Sequence, residues 1–326
     1  MTDPTWTESE AHDLLTGLAK PLPELSARYF YDDRGSELFE QITQQPEYYP
    51  TRTELLVLQA YAADLIERTA PKVLAELGSG VGKKIQLLIA AGRERGLVDE
   101  LVMFDINQMF LDASVEAAEG TFPGLAARGI VGDFGADLEK LGPGGRRLLL
   151  FLAGTVGNLH PDAVGGFLGR IADLMAPDDW FLLGVDQVKD PAVLHAAYND
   201  AAGVTAAFNR NVLTSLSRRF GAVLDEGAWE HRAFYDEENA WIEMRLRATA
   251  DTTLAIPALG FERAFAAGDE MRTELSCKYT QESLKQRLDG TGLQLDGWYT
   301  DPNQLFALAL LRRDPDELGT VRMTVS

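Results

Sequence analysis

The chain has 326 residues, 46% of them hydrophobic, enough to bury one large core or two of medium size. Its net charge of −20 sets it against nucleic acid and anionic membrane, because polyanions repel an acidic surface. A single cysteine, Cys277, excludes an internal disulfide and a cysteine-based metal cluster, and it fits a reducing compartment.

No metal is expected from the histidines either. His12, His160, His195 and His231 lie far apart and lack the close pairs of a zinc site. Met1 to Ala11 carries acidic residues instead of a basic segment followed by an apolar run. Apolar stretches such as Leu148 to Val156 are too short and too glycine-broken to cross a bilayer. The expectation is a soluble, cytoplasmic monomer with neither nucleic acid nor membrane as partner.

In chain order, Lys72 to Leu77 reads as a buried strand and Lys84 to Arg93 as a helix. Leu101 to Ile106 is the next strand, with a helix near Leu111 to Ala118. Arg128 to Gly132 is a weaker strand and Arg147 to Leu152 a strong one, followed by a helix over Asp162 to Leu174 and a strand over Trp180 to Val185. Short apolar runs between amphipathic helices predict parallel strands covered on both faces, the doubly wound α/β pattern. The rhythm then changes. Asp200 to Phe220 reads as a long helix, and Ala240 to Thr249 alternates, with Ile242, Met244 and Leu246 on one face and Glu243, Arg245 and Arg247 on the other. That period of two predicts an antiparallel strand with one wet face, and Arg272 to Tyr279 looks similar. A helix over Glu282 to Leu288 and strands over Leu293 to Tyr299 and Leu305 to Leu311 follow.

The first strand runs into Glu76-Leu77-Gly78-Ser79-Gly80-Val81-Gly82. Glycines between a strand and a helix let the backbone approach a ligand closely. A dinucleotide fingerprint needs a further glycine three residues after the second, where Lys83 stands. The pattern acidic-x-Gly-x-Gly-x-Gly is instead that of methyltransferases using S-adenosylmethionine (SAM). Asp105 ends the second strand, where an acid can accept from both ribose hydroxyls. Asp133 and Phe134 follow the third, where they can frame an adenine. Three matches at successive strand ends lie where open α/β sheets bind ligands.

The chain resembles the histidine-specific Nα-methyltransferases of ergothioneine biosynthesis over nearly its whole length, from about Leu22 to Arg312. The resemblance is carried by Tyr29-Phe30-Tyr31-Asp32, by Gly35 to Phe39, by Pro46 to Glu54, by Val156-Gly157-Asn158-Leu159, by Tyr198 with Asp200 to Asn211, by Ile242-Glu243-Met244 and by Thr273 to Lys278. It implies a Rossmann-like class I SAM methyltransferase sheet with an inserted α+β substrate-binding domain. The methyltransferase domain would comprise 54–190 and 280–313, the substrate domain 1–53 and 191–279, and 314–326 a loose tail. The late strands resemble the antiparallel edge that closes such a sheet. The insertion and the N-terminal region are expected to form one lid over the sheet.

The resemblance also implies roles. SAM would be held by Gly78, Lys84, Asp105, Asp133 and Phe134, and the carboxylate of free L-histidine by Asn158 and Tyr198. Tyr31 would lie near the amino nitrogen, making Tyr31 and Asn158 the catalytic candidates. Tyr48, Met244, Glu274 and Ser276 would line the imidazole pocket. The residues agree with this: Glu274 and Ser276 stand two apart on a predicted strand, so both point the same way and can address both ring nitrogens. The chain departs from the family pattern at Ala153 and Gly154, where glycine then serine is expected, and at Gly82 and Lys83. Two alternatives are an α-N-methyltransferase of another amino acid, such as an indole substrate, against which Glu274 and Met244 speak, and a non-catalytic SAM or nucleotide sensor.

Overall fold

The computed structural model describes residues 6–78, 82 and 84–315. Ser79, Gly80, Val81 and Lys83 of the glycine loop, the first five residues and the tail from 316 onward lie outside the described residues. In chain order the elements are helices α1 (Glu8–Leu18), α2 (Asp33–Thr43) and α3 (Pro50–Thr69), strand β1 (Val73–Leu77), α4 (Ile85–Glu94), β2 (Glu100–Asp105), α5 (Gln108–Thr121), β3 (Ala126–Val131), β4 (Arg147–Phe151), α6 (Pro161–Leu174) and β5 (Trp180–Asp186). Then come α7 (Pro191–Tyr198), α8 (Val204–Phe220), β6 (Trp229–Asp236), β7 (Trp241–Ala248), β8 (Thr252–Ile256), β9 (Phe261–Phe265), β10 (Glu270–Cys277), α9 (Gln281–Leu288), β11 (Leu293–Thr300) and β12 (Phe306–Arg313). The chain divides into two compact units, one made of Met1–Tyr49 with Lys189–Cys277, the other of Pro50–Val188 with Lys278–Ser326.

The larger unit is built on a seven-stranded sheet of order β11-β12-β5-β4-β1-β2-β3. Strands β1 to β5 are parallel, and β12 runs antiparallel between β5 and β11. The chain winds outward from β1 to β3 on one side and from β4 to β5 on the other, so the topological switch point lies between β1 and β4. This is the class I SAM methyltransferase sheet. Every residue of β4 is buried, as a strand covered on both faces requires. Edge strand β3 is largely exposed, which is why its sequence signal is weak. The two late strands expected to close the sheet do so: β12 runs antiparallel to β5, second from the edge, and β11 pairs antiparallel with it as the edge itself.

The smaller unit holds a three-stranded antiparallel sheet, β10-β7-β6, and a two-stranded one, β8-β9. Helices α7 and α8 pack on the three-stranded sheet. Helix α8 begins at Val204, not at Asp200 as the sequence pattern predicts. Gly203 takes a left-handed φ of 72°, and the Asp200 carboxylate accepts from the backbone N–H groups of Val204 (2.8 Å) and Thr205 (2.7 Å). Asp200 is thus the acid that caps the helix from outside. Helix α1 opens on a capping box in which Thr7 and Glu10 each bond the other's backbone N–H.

The face of β7 predicted to be wet is half true. Glu243 is buried and forms ion pairs with Arg245 (2.7 Å) and Arg272 (2.9 Å). Glu270 extends the row to Arg245 at 2.6 Å and also pairs with Arg232, and Glu24 pairs with Arg272 at 3.2 Å. Alternation read the two faces correctly. It could not show that the charged face is satisfied by its own opposite charges instead of by water.

Candidate active site

Parallel strands carry the cofactor candidates to one edge of the larger unit's sheet, because each follows or ends a strand running the same way. Gly78 follows β1 with φ at 68°, a conformation glycine adopts without strain, and its N–H donates to the Phe104 carbonyl at 2.7 Å. Asp105 closes β2; its Oδ1 accepts from the Asn107 N–H at 3.0 Å, and Asn107 in turn accepts from Met109 N–H at 3.1 Å at the start of α5. Asp133 follows β3 and is fixed by a bond from the Gly135 N–H at 2.7 Å. Phe134 is half-buried, its ring edge-on to Phe151 at 5.0 Å and to Phe167 at 6.1 Å. Asn158 ends the single 3-10 turn Thr155–Asn158 that follows β4.

Lys84 stands at the mouth of α4, and its partner is a residue to which the sequence reading gave no role. Glu54, on α3, is fully buried and ion-paired to Lys84 through one carboxylate oxygen. The other oxygen accepts from the Ala153 N–H at 2.7 Å. A buried carboxylate is tolerated when both oxygens are paired, and here they are. Glu54 thereby ties the start of α4 to the loop after β4 that leads to Asn158. The loop needs holding: Ala153 has φ at 63°, a left-handed conformation that costs an alanine roughly 1–2 kcal/mol, and Gly154 follows at 68°. Space for Glu54 is made by β5, where a Cβ at Gly184 would lie 2.4 Å from its Oε1.

Glu76 is the acidic residue of the glycine motif. It is buried, and its Oε2 has no hydrogen-bond partner among the described residues. Burial pushes its carboxyl up to about 8; the Lys84 ammonium opposes this, while Glu54 and Asp105 add to it.

The remaining candidates belong to the smaller unit. Tyr31 ends the 3-10 turn Ala27–Phe30 and stands edge-on to Phe39 at 5.9 Å and Phe208 at 6.0 Å. Tyr48 meets the same Phe39 at 6.2 Å, so both tyrosines border one aromatic cluster. Tyr198, at the end of α7, is joined to Ser276 by a hydroxyl–hydroxyl bond of 2.7 Å. Met244 lies directly opposite Glu274, and Ile242 opposite Ser276, in the β7–β10 pairing. Directly opposed side chains share a face, so Met244, Glu274 and Ser276 form one cluster, backed by Tyr198. Glu274 is buried within it.

A family profile described as histidine-specific methyltransferase, SAM-dependent, matches residues 10–313. The chain belongs to this family. The histidine N-alpha-methyltransferase of Mycolicibacterium smegmatis is 42% identical over 94% of this chain and 95% of its own. Its namesake from Mycobacterium tuberculosis is 41% identical over 91% of this chain and 93% of its own. Ergothioneine biosynthesis protein 1 of Neurospora crassa is 28% identical over 89% of this chain, which matches 33% of that longer protein. The expectations of an enzyme, of SAM as methyl donor and of a histidine-specific reaction therefore stand. Among the described residues, no helix is long and apolar enough to cross a membrane.

Proposed function

We propose that this protein transfers methyl groups from SAM to the α-amino nitrogen of L-histidine, three in succession, yielding the trimethyl betaine hercynine for ergothioneine biosynthesis. Family membership supports the reaction class, and the shared face of Met244, Glu274 and Ser276 supports the substrate. A buried carboxylate beside a hydroxyl suits a ring with two nitrogens, whereas an indole would leave Glu274 buried against an apolar surface. We assign the larger unit to the methyl donor and the smaller to reading the substrate, and we take the enzyme to be a cytoplasmic monomer.

The donor set of the larger unit fits SAM. Asp105 presents a carboxylate, the natural acceptor for two ribose hydroxyls, and half-buried Phe134 supplies an aromatic surface for a purine. An ammonium has three donors and Glu54 takes one, so Lys84 can also donate to the carboxylate of an amino-acid ligand. Gly78 and Asp133 complete the set. SAM supplies a methyl group on a sulfonium, an electrophile that needs no further activation. The protein's work is to align the nitrogen and exclude water.

The nitrogen must be neutral at each transfer. The α-amino group at a peptide's end has a pKa of about 8. The adjacent carboxylate of a free amino acid raises it further, so at pH 7 the nitrogen is mostly ammonium and must shed a proton before each attack. Tyr31 is assigned to the nitrogen, where its hydroxyl can pass the departing proton to water. Asn158 and Tyr198 are assigned to the carboxylate. Holding carboxylate and ring leaves the nitrogen free to turn between rounds.

Each hydroxyl has one proton, which couples the two ends of the substrate. With the Tyr198 proton on Ser276, Ser276 can donate to the ring nitrogen that Glu274 does not take. Turned the other way, Ser276 accepts from the ring and Tyr198 donates to the carboxylate. The test is direct: the protein is mixed with SAM and each of the twenty amino acids in turn, and S-adenosylhomocysteine and methylated products are read by mass spectrometry. Mono-, di- and trimethylhistidine should appear in sequence. Equal turnover of another amino acid, or none of histidine, overturns the reading.

A further inference from the structure

The face on which Glu274 and Ser276 stand depends on an irregularity in β10. Up to Arg272 the strand runs in simple register with β7: Glu270 opposite Arg247, Met271 opposite Leu246, Arg272 opposite Arg245. Thr273 is then passed over, and pairing resumes with Glu274 opposite Met244 and Ser276 opposite Ile242. One extra residue reverses the parity of a strand. Glu270 and Arg272 therefore share the ion-paired face, while Glu274 and Ser276, although at even spacing from them, share the opposite face with Ile242 and Met244. In an unbroken strand Glu274 would join the row of Glu243, Arg245 and Arg272, and no carboxylate would stand beside Met244.

The bulge is held by buried hydrogen bonds. Thr273 is fully buried; its hydroxyl lies 2.6 Å from Asn209 Oδ1 and 3.1 Å from the Met244 carbonyl. Asn209, on α8, is also fully buried, and its amide nitrogen donates to the Arg245 carbonyl (2.9 Å) and to His231 Nδ1 (2.8 Å). His231 Nε2 lies 3.0 Å from the Tyr198 carbonyl; a carbonyl only accepts, so Nε2 carries the proton and Nδ1 accepts. Tyr198 then bonds Ser276 through its hydroxyl. The circuit leaves β10 at residue 273, passes through α8, β6 and α7, and rejoins the same strand at residue 276.

We propose that Thr273, with Asn209 and His231, positions the imidazole-reading groups, setting the strand parity that turns Glu274 and Ser276 toward Met244 and fixing Tyr198 against Ser276. This rests on histidine being the substrate. None of the three is assigned to touch it; they act through Glu274, Ser276 and Tyr198.

The experiment measures histidine and SAM binding by calorimetry, and KM and kcat for histidine, in wild type, Thr273→Val and Thr273→Ser. Valine keeps the branched shape and removes the hydroxyl. Histidine binding should weaken about tenfold or more in Thr273→Val, with the loss in KM exceeding that in kcat, while SAM binding stays within about twofold and Thr273→Ser recovers most of the histidine affinity. Wild-type histidine affinity in folded Thr273→Val, or equal loss of SAM binding, overturns the proposal. Should Thr273→Val not fold, His231→Phe is read for the same split, and unchanged histidine affinity there overturns it equally. Wild type that binds SAM but not histidine removes the substrate reading itself, and this inference falls with it.

Discussion

Tyr198, the last residue of a helix, and Ser276, in the interior of a strand, are joined by a 2.7 Å bond between their hydroxyls. Each therefore fixes the other's orientation. Tyr198→Phe removes one hydroxyl while keeping the ring's packing. A single neutral hydrogen bond is worth about 1 kcal/mol net, so KM for histidine should rise roughly fivefold, with SAM affinity unaltered. Steady-state kinetics with histidine varied at saturating SAM checks this; an unchanged KM would take Tyr198 out of substrate recognition.

Glu274 carries the larger share. A site built to bond a polar ring rejects an apolar one by leaving its own buried group unpaired. Glu274→Ala should lower kcat/KM for histidine by one to two powers of ten, corresponding to roughly 1.5–3 kcal/mol for a charge-assisted bond. Activity on tryptophan should fall less or rise. The decisive quantity is the histidine-to-tryptophan ratio, which must move toward tryptophan if Glu274 reads the ring.

Glu54→Gln preserves shape but removes the charge opposite Lys84. Breaking a buried pair from one side costs about 3–5 kcal/mol, toward the lower end here because Lys84 keeps some solvent contact. The variant should unfold at lower denaturant, and SAM should bind more weakly because Lys84 is no longer fixed. Equilibrium denaturation with and without SAM separates the two effects. Wild-type stability in Glu54→Gln would show that the pair contributes little.

Glu76 makes stability depend on pH. Its carboxyl is raised from 4.5 to about 8 in the folded chain, so between those values the folded state binds more protons than the unfolded one. Stability attributable to this group is present below the unfolded value and is lost as pH rises toward 8. The ligand-free protein should melt at a progressively lower temperature from pH 6 to 8.5, and Glu76→Gln should show a flatter profile over that range. Identical slopes in the two proteins would mean that Glu76 is ionised without penalty.

What the sequence made legible was local or periodic. Alternation in β7 separated Ile242, Met244 and Leu246 from Glu243, Arg245 and Arg247, and the spacing of Glu274 and Ser276 put them on one side. Which side could not be read, because nothing in Arg272-Thr273-Glu274 marks a bulge; no glycine stands there, and Asn209 and His231, which hold it, are remote in sequence. Glu54 was hidden for the same reason, its partners lying 30 and 99 residues away. The signals of Thr7 and Glu10 for α1, and of Asp200 and Gly203 for the late start of α8, stand in the sequence but had no place among the predicted elements; at α8 a helical apolar pattern continues past them. Gly78, Asp105, Asp133 and Phe134 were legible as matches at successive strand ends, whereas the roles of Lys84, Asn158 and Tyr31 came from resemblance, since a turn residue looks alike whether or not it binds anything.

The notch in β5 at Gly184 makes three positions genetically interdependent. A methyl group there would collide with the Glu54 carboxylate, so Gly184→Ala should be severe while Glu54 is present. Once the acid is shortened to alanine, the collision with the carboxylate is gone, and the methyl group has only close contacts with Leu152 Cα at 3.2 Å and the Phe306 ring at 3.3 Å left to relax. The double substitution should then be far less harmful than the sum of the two, and residues 54, 84 and 184 should tend to change together or not at all. A lineage that loses the Lys84 anchor would thereby also lose the pressure that keeps a glycine in the middle of a buried strand.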